Sequence, residues 1–348
     1  MVNVFEGKME TAQNSTFTVD INRGFKKVQL RQGVSLLAGL ARNSVFIPSA
    51  CGGNARCGYC KIKLLSPGSA PTAPELPLLS EQEKAEGFHL ACQTKPDKDI
   101  AIEIPEELFS VKRFSGKVVQ KKMLTYDILG LTIGLSNPPI IDFKAGQYVQ
   151  LKSMPYDGNY AVLRDFSIAS PPSKKNSIEL MIRKIPNGIF TPWAIDVLKE
   201  GDSISFSGPY GKFGASGTSL PMLFIAGGSG MAPVWSVLQD LRQKNCGRRI
   251  IYFFGALTQK DLFLTDELNK LEKEMPSFKF TPALSNEPAD SGWQGERGLI
   301  TDVVGRRIPD CSGYEAYLCG SPGMINACIA VLKKGGMSGE RVFYDKFA

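Results

Sequence analysis

The sequence predicts a multidomain chain of α+β and α/β class: a small mixed unit, then an antiparallel β domain, then a parallel α/β domain. Three observations carry this. The chain has 348 residues, 43% of them hydrophobic, which suits two or three domains of roughly 100–200 residues each. Between about residues 106 and 213, short runs alternate apolar and polar residues, the period of half-buried strands. From about residue 214 onward, apolar runs alternate with helix-period stretches, the pattern of βαβ units on a parallel sheet.

The first segment, residues 1–105, opens with strand-like runs at Phe17–Ile21 and Lys27–Leu30. Ser35–Arg42 follows, with Leu36, Leu37 and Leu40 on one helical face. A loop of glycines and cysteines leads to a strand at Lys61–Leu65, and Pro67, Pro71, Pro74 and Pro77 mark a turn. Ser80–Glu86 reads as a short acidic helix in which Ser80 caps and Glu83 completes a capping box. Ile100–Ile104 closes the unit. In residues 106–213 the strands are Gly146–Val149, Asp165–Ala169 and Ser177–Arg183, with one helix near Thr191–Lys199. In residues 214–348, strands at Pro221–Ala226, Arg249–Gly255 and Glu315–Cys319 alternate with helices at Ala232–Lys244, Thr265–Glu274 and Gly323–Lys334.

Composition excludes several classes of function. The net charge of +7 is mild, is concentrated in the middle segment and forms no basic block of nucleic-acid type. No apolar run reaches the length of a membrane span: Pro221–Leu238 is broken by Gly227, Gly228 and Gly230. The start, Met1–Glu6, has neither a basic nor an apolar leader region, so a cytoplasmic, soluble protein is expected. In such a compartment eight cysteines are not disulfides, and some of them need another task.

Four cysteines stand apart. Cys51, Cys57 and Cys60 share one glycine-rich loop and Cys92 follows later, giving C-x5-C-x2-C-x31-C. Four thiolates hold zinc or an iron–sulfur cluster. Zinc ribbons usually offer two C-x2-C knuckles and only one exists here. Three ligands on a loop plus one distant ligand is the plant-type 2Fe–2S pattern. Gly52, Gly53 and Gly58 allow the loop to curl and aim N–H groups at the sulfurs. The five-residue first gap, instead of four, resembles the ferredoxin domain of the NADH-binding subunit of sodium-translocating NADH:quinone reductases. That resemblance implies a β-grasp ferredoxin domain.

In the middle segment, Arg164-Asp165-Phe166-Ser167 resembles the Arg-x-aromatic-Ser motif of the ferredoxin-reductase flavin barrel. The resemblance implies Arg164 on an FAD phosphate, Phe166 against the isoalloxazine and Ser167 at flavin N5, the atom that accepts hydride. Gly188-Ile189-Phe190-Thr191 is similar to the Gly-x-x-Ser/Thr helix start of the same family, and a helix N-terminus with a hydroxyl suits a pyrophosphate. Arg183, ending the preceding strand, is a further candidate contact. Gly208–Phe213 resembles the end of that barrel.

In the last segment, Ala226-Gly227-Gly228-Ser229-Gly230-Met231-Ala232-Pro233 follows a strand and opens a helix. Glycines there allow backbone to approach a pyrophosphate, and Pro233 suits the first or second helical position. The turn resembles that of ferredoxin-reductase NAD domains. Cys319-Gly320-Ser321-Pro322-Gly323-Met324 resembles the second nucleotide turn of that family, which implies Cys319 beside the nicotinamide C4, aligning the ring without acting as a nucleophile. Leu257 stands where family members often carry a basic residue for a 2′-phosphate, which favours NADH. Phe347 is the candidate for the C-terminal aromatic that covers the flavin. Cys246, Cys311 and Cys328 are expected to be packing residues, and His89 a structural neighbour of the cluster.

The whole chain thus resembles a three-domain 2Fe–2S/FAD/NAD reductase, closest to the NADH-binding subunit of the sodium-pumping enzyme and similar to reductase components of oxygenases. The linker Ile104–Lys112 and the segment Asp345–Ala348 add to the likeness with the sodium-pump subunit. That subunit carries an N-terminal membrane helix and a flavin-domain insertion that this sequence does not show. The expected activity is electron transfer from NADH to FAD, then to 2Fe–2S, then to a partner protein. The partner is an oxygenase or other metalloenzyme, with a membrane redox complex as the alternative.

Overall fold

The protein is described from a computed structural model covering residues 15–66 and 70–347. Met1–Glu6, Pro67 and Ala348, which entered the sequence reading, lie outside the described residues. The chain forms two compact units, residues 1–110 and 111–348.

The first unit is a mixed sheet crossed by a helix. Its strands are β1 (Thr16–Ile21), β2 (Lys26–Arg31), β3 (Lys61–Leu64), β4 (Phe88–Leu90) and β5 (Ile100–Glu103), in the order β2-β1-β5-β3-β4. β1 runs antiparallel to β2 and parallel to β5. Helix α1 (Leu36–Arg42) starts where the Ser35 side chain accepts the N–H of Ala38, and it buries Leu36 and Leu40. It lies so close to the sheet that a Cβ on Gly39 would stand 2.4 Å from the Leu30 side chain. Helix α2 (Glu81–Ala85) carries the full Ser80–Glu83 capping box, so the cap that the sequence predicts forms.

The second unit begins with six antiparallel strands: β6 (Lys112–Met123), β7 (Ile128–Asn137), β8 (Tyr148–Lys152), β9 (Leu163–Ser167), β10 (Ser177–Arg183) and β11 (Ser203–Tyr210). Their order is β10-β7-β6-β11-β8-β9. A bridge between Ile168 and Leu180 brings the two edges together, so the sheet is a nearly closed barrel. Val118, Leu131, Ile133, Val149, Leu151, Ile178 and Phe206 fill it. The predicted helix at Thr191–Lys199 is instead a single α turn, α3 (Phe190–Pro192), continued by a π turn over Trp193–Val197. It ends early because Leu198 goes extended, leading into the turn at Gly201, whose φ is +89°.

The last sheet is wholly parallel. Its strands are β12 (Met222–Gly227), β13 (Ile250–Ala256), β14 (Phe278–Leu284), β15 (Glu296–Arg297), β16 (Glu315–Gly320) and β17 (Val342–Lys346), in the order β15-β14-β13-β12-β16-β17. Helices α4 (Met231–Gln243), α5 (Thr265–Glu274), α6 (Ile300–Arg307) and α7 (Pro322–Lys334) cover it. Barrel and parallel sheet share one apolar core, in which Ala145, Ala169 and Met181 meet Met222, Phe224 and Val234. The buried Ser236 hydroxyl of α4 donates to the carbonyl of Ser170 at 2.7 Å.

Candidate functional site

The cysteine loop has the geometry that its composition demands. Gly52, Gly53 and Gly58 take φ of +68°, +94° and +70°, and Ala55 takes +49°. This left-handed course turns backbone N–H groups inward. Those of Gly53, Arg56 and Cys57 address the sulfur of Cys51, that of Tyr59 addresses Cys57, and that of Ala55 addresses Cys92. All four cysteines are free thiols. They stand as two pairs: Cys57 Sγ lies 3.4 Å from Cys51 Sγ, and Cys60 is hydrogen-bonded to Cys92, which raises the Cys60 thiol and lowers that of Cys92. Among the described residues no three ligands converge on one point. A 2Fe–2S centre does not need that, because each of its two irons takes two thiolates, and two adjacent pairs fit it better than a single tetrahedral zinc. His89, buried on β4, has Nδ1 3.4 Å from Glu75 Oε1. Glu75 also accepts the N–H of Leu90 at 2.7 Å.

In the second unit, β9 holds the Arg164–Ser167 motif. Arg164 and Phe166 share one face of the strand, Asp165 and Ser167 the other, by the period of two. The Phe166 ring lies 5.0 Å from that of Phe190 in α3. Thr191 Oγ1 accepts the N–H of Ile185 at 2.9 Å, which pins the turn, while Gly188 allows the chain close to the Ile185 carbonyl. The Arg183 Nε donates to Asp127 at 2.8 Å, and its Nη1 lies 3.0 Å from where a Cβ on Gly228 would stand. Arg183 therefore leans from the barrel onto the first nucleotide turn.

That turn follows β12. Gly228 has φ +55°, and a Cβ on Gly230 would sit 2.4 Å from the Cys319 carbonyl oxygen. A Cβ on Gly227 would meet the Gly255 carbonyl at 3.2 Å. These glycines let neighbouring strand ends crowd together at the carboxyl edge of a parallel sheet, where such folds bind ligands. α4 begins after Gly230, so Pro233 is its third residue, not its first or second as the sequence suggests. A short 3₁₀ turn at Gly228–Gly230 shifts the frame, and the position still needs no N–H donor.

The second nucleotide turn carries Cys319 at the end of β16. Cys319 is fully buried, and burial with the nearby Asp345 raises its thiol far above the ordinary range, which makes it a poor nucleophile. β17 pairs Cys319 with Asp345 and Gly320 with Lys346. The Phe347 N–H then donates to the Gly320 carbonyl at 3.0 Å. Ser167 donates to the Asp345 carboxyl. So Ser167 and the Cys319–Gly320 strand end, far apart in sequence, both meet the Asp345–Phe347 segment. Cys246, Cys311 and Cys328 lie in or against apolar cores.

Sequence reading missed three groups. Asp345 was legible only as part of a C-terminal segment. Asp165 is the variable position of the Arg-x-aromatic-Ser motif, which assigns it no task. Glu287, after β14, accepts the Gln259 backbone N–H at 2.9 Å and its side-chain amide at 2.6 Å, and these bonds hold its carboxyl below the usual range. Glu287 thus joins the turns after β13 and β14 on the ligand edge, near the exposed Leu257.

Known proteins share these features in the same order. Residues 19–97 match the 2Fe-2S iron-sulfur cluster binding domain, 115–214 the oxidoreductase FAD-binding domain and 224–329 the oxidoreductase NAD-binding domain. The chain is therefore of the class of NADH-dependent oxidoreductases with FAD and a 2Fe–2S cluster. It belongs to the family of the F subunit of Na(+)-translocating NADH-quinone reductases. It is 32% identical to that subunit from Neisseria meningitidis serogroup C, over 98% of this chain and 94% of the relative. With its counterpart from Mannheimia succiniciproducens it shares 30% identity over 99% and 95%. Among solved structures it resembles the Amycolatopsis cytochrome P450 reductase GcoB (29% identity, TM-score 0.78, 95% and 99% coverage). It also resembles the ferredoxin reductase in carbazole 1,9a-dioxygenase (25% identity, TM-score 0.74, 96% and 99% coverage). No helix among the described residues is long and apolar enough to cross a membrane.

Proposed function

We propose that this chain is the NADH-oxidising component of a larger redox system and delivers electrons singly to a separate protein. The carrying observation is the pairing of Cys51 with Cys57 and Cys60 with Cys92 in one chain with a nucleotide edge and a flavin barrel. Bound FAD supplies the conversion of a hydride into single electrons, and the cluster accepts them one at a time. The chain's own residues do the positioning. Arg164 and Arg183 neutralise phosphates, and the turns at Gly188–Thr191, Gly227–Gly230 and Gly320 receive the pyrophosphates. Pro233 starts α4 there without needing an N–H donor. Phe166 packs along the flavin, Ser167 offers a hydroxyl at N5, and Cys319 sets the nicotinamide against it. Phe347 covers that place until NADH arrives. Glu287 presents a carboxylate beside the turn that carries Leu257, the turn where the resemblance puts the 2′-phosphate contact, which supports NADH over NADPH. Cys51, Cys57, Cys60 and Cys92 hold the cluster. The domains run over 1–105, 106–213 and 214–348.

The preferred acceptor is a soluble oxygenase or other metalloenzyme, which the two reductase structures favour. The quinone-reductase relatives favour docking on a membrane redox complex. Anaerobic pull-down from soluble and membrane fractions, followed by NADH-driven reduction of what is captured, separates them. Capture only of a soluble metalloprotein that becomes reduced supports the first reading; capture only of membrane quinone-reducing proteins replaces it with the second.

A further inference from the structure

The tip of the β6–β7 hairpin, residues 124–127, reaches from the barrel to the carboxyl edge of the parallel sheet. Its own bonds hold its shape. The Thr125 hydroxyl donates to Asp127 Oδ1 at 2.8 Å, and the Ile128 N–H donates to Thr125 Oγ1 at 3.0 Å. Leu124 and Ile128 pack into the core that barrel and sheet share. Asp127 takes the Arg183 Nε, and Arg183 lies against Gly228 of the first nucleotide turn. Tyr126 is 66% exposed, and its hydroxyl donates to Asp261 Oδ1 at 2.9 Å. That bond draws the phenol further from ionisation, so it stays a donor.

Asp261 belongs to the turn that follows β13, residues 257–261. Its other oxygen, Oδ2, accepts the Thr258 N–H at 2.8 Å and the Thr258 hydroxyl at 2.9 Å. One carboxylate therefore has one oxygen on the turn and one on the barrel. From the opposite side the Leu257 carbonyl accepts the Asn286 N–H at 2.8 Å, and Glu287 takes the backbone and side-chain N–H groups of Gln259. Leu257 itself is exposed and gives the turn no anchor in the core. β12 and β13 are parallel neighbours with Gly227 opposite Gly255, so the first nucleotide turn and this one leave adjacent strand ends and border one crevice. The hairpin tip reaches this turn directly and the other through Arg183.

We propose that Tyr126 is a positioning residue for NADH: through Asp261 it holds the turn after β13 in the shape that receives the adenosine half of the dinucleotide. A hydrogen bond between exposed groups contributes little to overall stability, because water competes for both partners. Its effect is local. In a crevice of this kind the turn after the second strand meets the ribose of the nucleotide. A turn already fixed by Tyr126 and Glu287 loses no further freedom on binding, whereas a turn freed on its barrel side must be ordered by the ligand. The nicotinamide end is set apart from this effect: the proposed function puts it at Cys319 on β16, and β16 and β13 flank β12 on opposite sides. The inference rests on the reading of the Leu257 turn as the ribose contact.

Reduction of the holoprotein by NADH, and by reduced nicotinamide mononucleotide, which keeps the reacting ring and lacks the adenosine, tests it. Tyr126→Phe removes one hydroxyl from an exposed ring and leaves the packing of the tip intact. The expected result is a KM for NADH raised roughly three- to tenfold, the net contribution of one hydrogen bond, with kcat within about twofold and kcat/KM for the mononucleotide unchanged. Asp261→Ala should raise the NADH KM at least as far, and adding Tyr126→Phe to it should raise it no further. The assignment is overturned if Tyr126→Phe leaves the NADH KM unchanged, if it weakens both nucleotides alike, or if the two substitutions multiply in the double variant. Glu287→Lys separates this from the reading beneath it. A gain of NADPH activity there, with Tyr126→Phe silent, keeps the turn as the ribose contact and strikes Tyr126. An unchanged ratio of NADPH to NADH activity, with Tyr126→Phe weakening NADH alone, keeps Tyr126 and strikes the 2′-phosphate assignment.

Discussion

Ser167 and Asp165 are neighbours on one strand face with opposite costs. Ser167 has a hydrogen-bond partner, and its replacement by alanine should slow flavin reduction by roughly ten- to a hundredfold, the range of a lost positioning contact. Stopped-flow absorbance checks it, and an unchanged rate counts against the assignment. Asp165 carries a stability cost. Its folded pKa of about 7 lies above the ordinary 3.8, so its contribution is fully present below that ordinary value and is lost as pH rises through about 7. Asp165→Asn removes a loss on the order of 4 kcal/mol at high pH. The variant should therefore melt above wild type at pH 8, with the gap closing toward pH 4. A pH-independent gap would mean the carboxyl is not the cause.

At the scale of elements, the proposed reading puts cofactor choice at the ligand edge of the parallel sheet. Glu287 is anchored by two bonds from Gln259, so Glu287→Lys should shift the ratio of kcat/KM for NADPH over NADH upward by at least tenfold. Steady-state kinetics with both nucleotides reads it directly. This edge also shows what the sequence made legible. β10 and α5 fall where patterning put them, because Ser177–Arg183 and Thr265–Glu274 have clean periods and definite ends. The turns after β12 and β16 were legible from glycines that the crowded strand ends require. The long hairpin β6–β7 was missed because its outer face is lysine-rich and its bulges break the alternation. β14 contains Pro282, a poor strand signal. Asp165 and Asp345 are placed by pairing across the sheets and Glu287 by its bonds from Gln259, none of which a local pattern records. The proposed cysteine ligands needed no such help, since three lie in one loop.

On the scale of the whole molecule, division of labour between the units is the testable property. Cys57→Ser should abolish NADH-driven cytochrome c reduction while leaving NADH-to-flavin reduction within about twofold, because the two chemistries lie in separately compact units. Equal loss of both rates would refute that division. The basic excess of the middle segment predicts a second behaviour. Electron delivery to an acidic partner should slow as salt rises, by long-range screening, and a rate flat between low and physiological ionic strength would exclude such steering. The placement of β17 has a practical side as well. This edge strand is joined to the sheet only through β16, and Asp345 stands on it opposite Cys319. Hydrogen exchange at its amides therefore reports on the hold over Asp345 separately from the nucleotide turns, since an edge strand opens on its own.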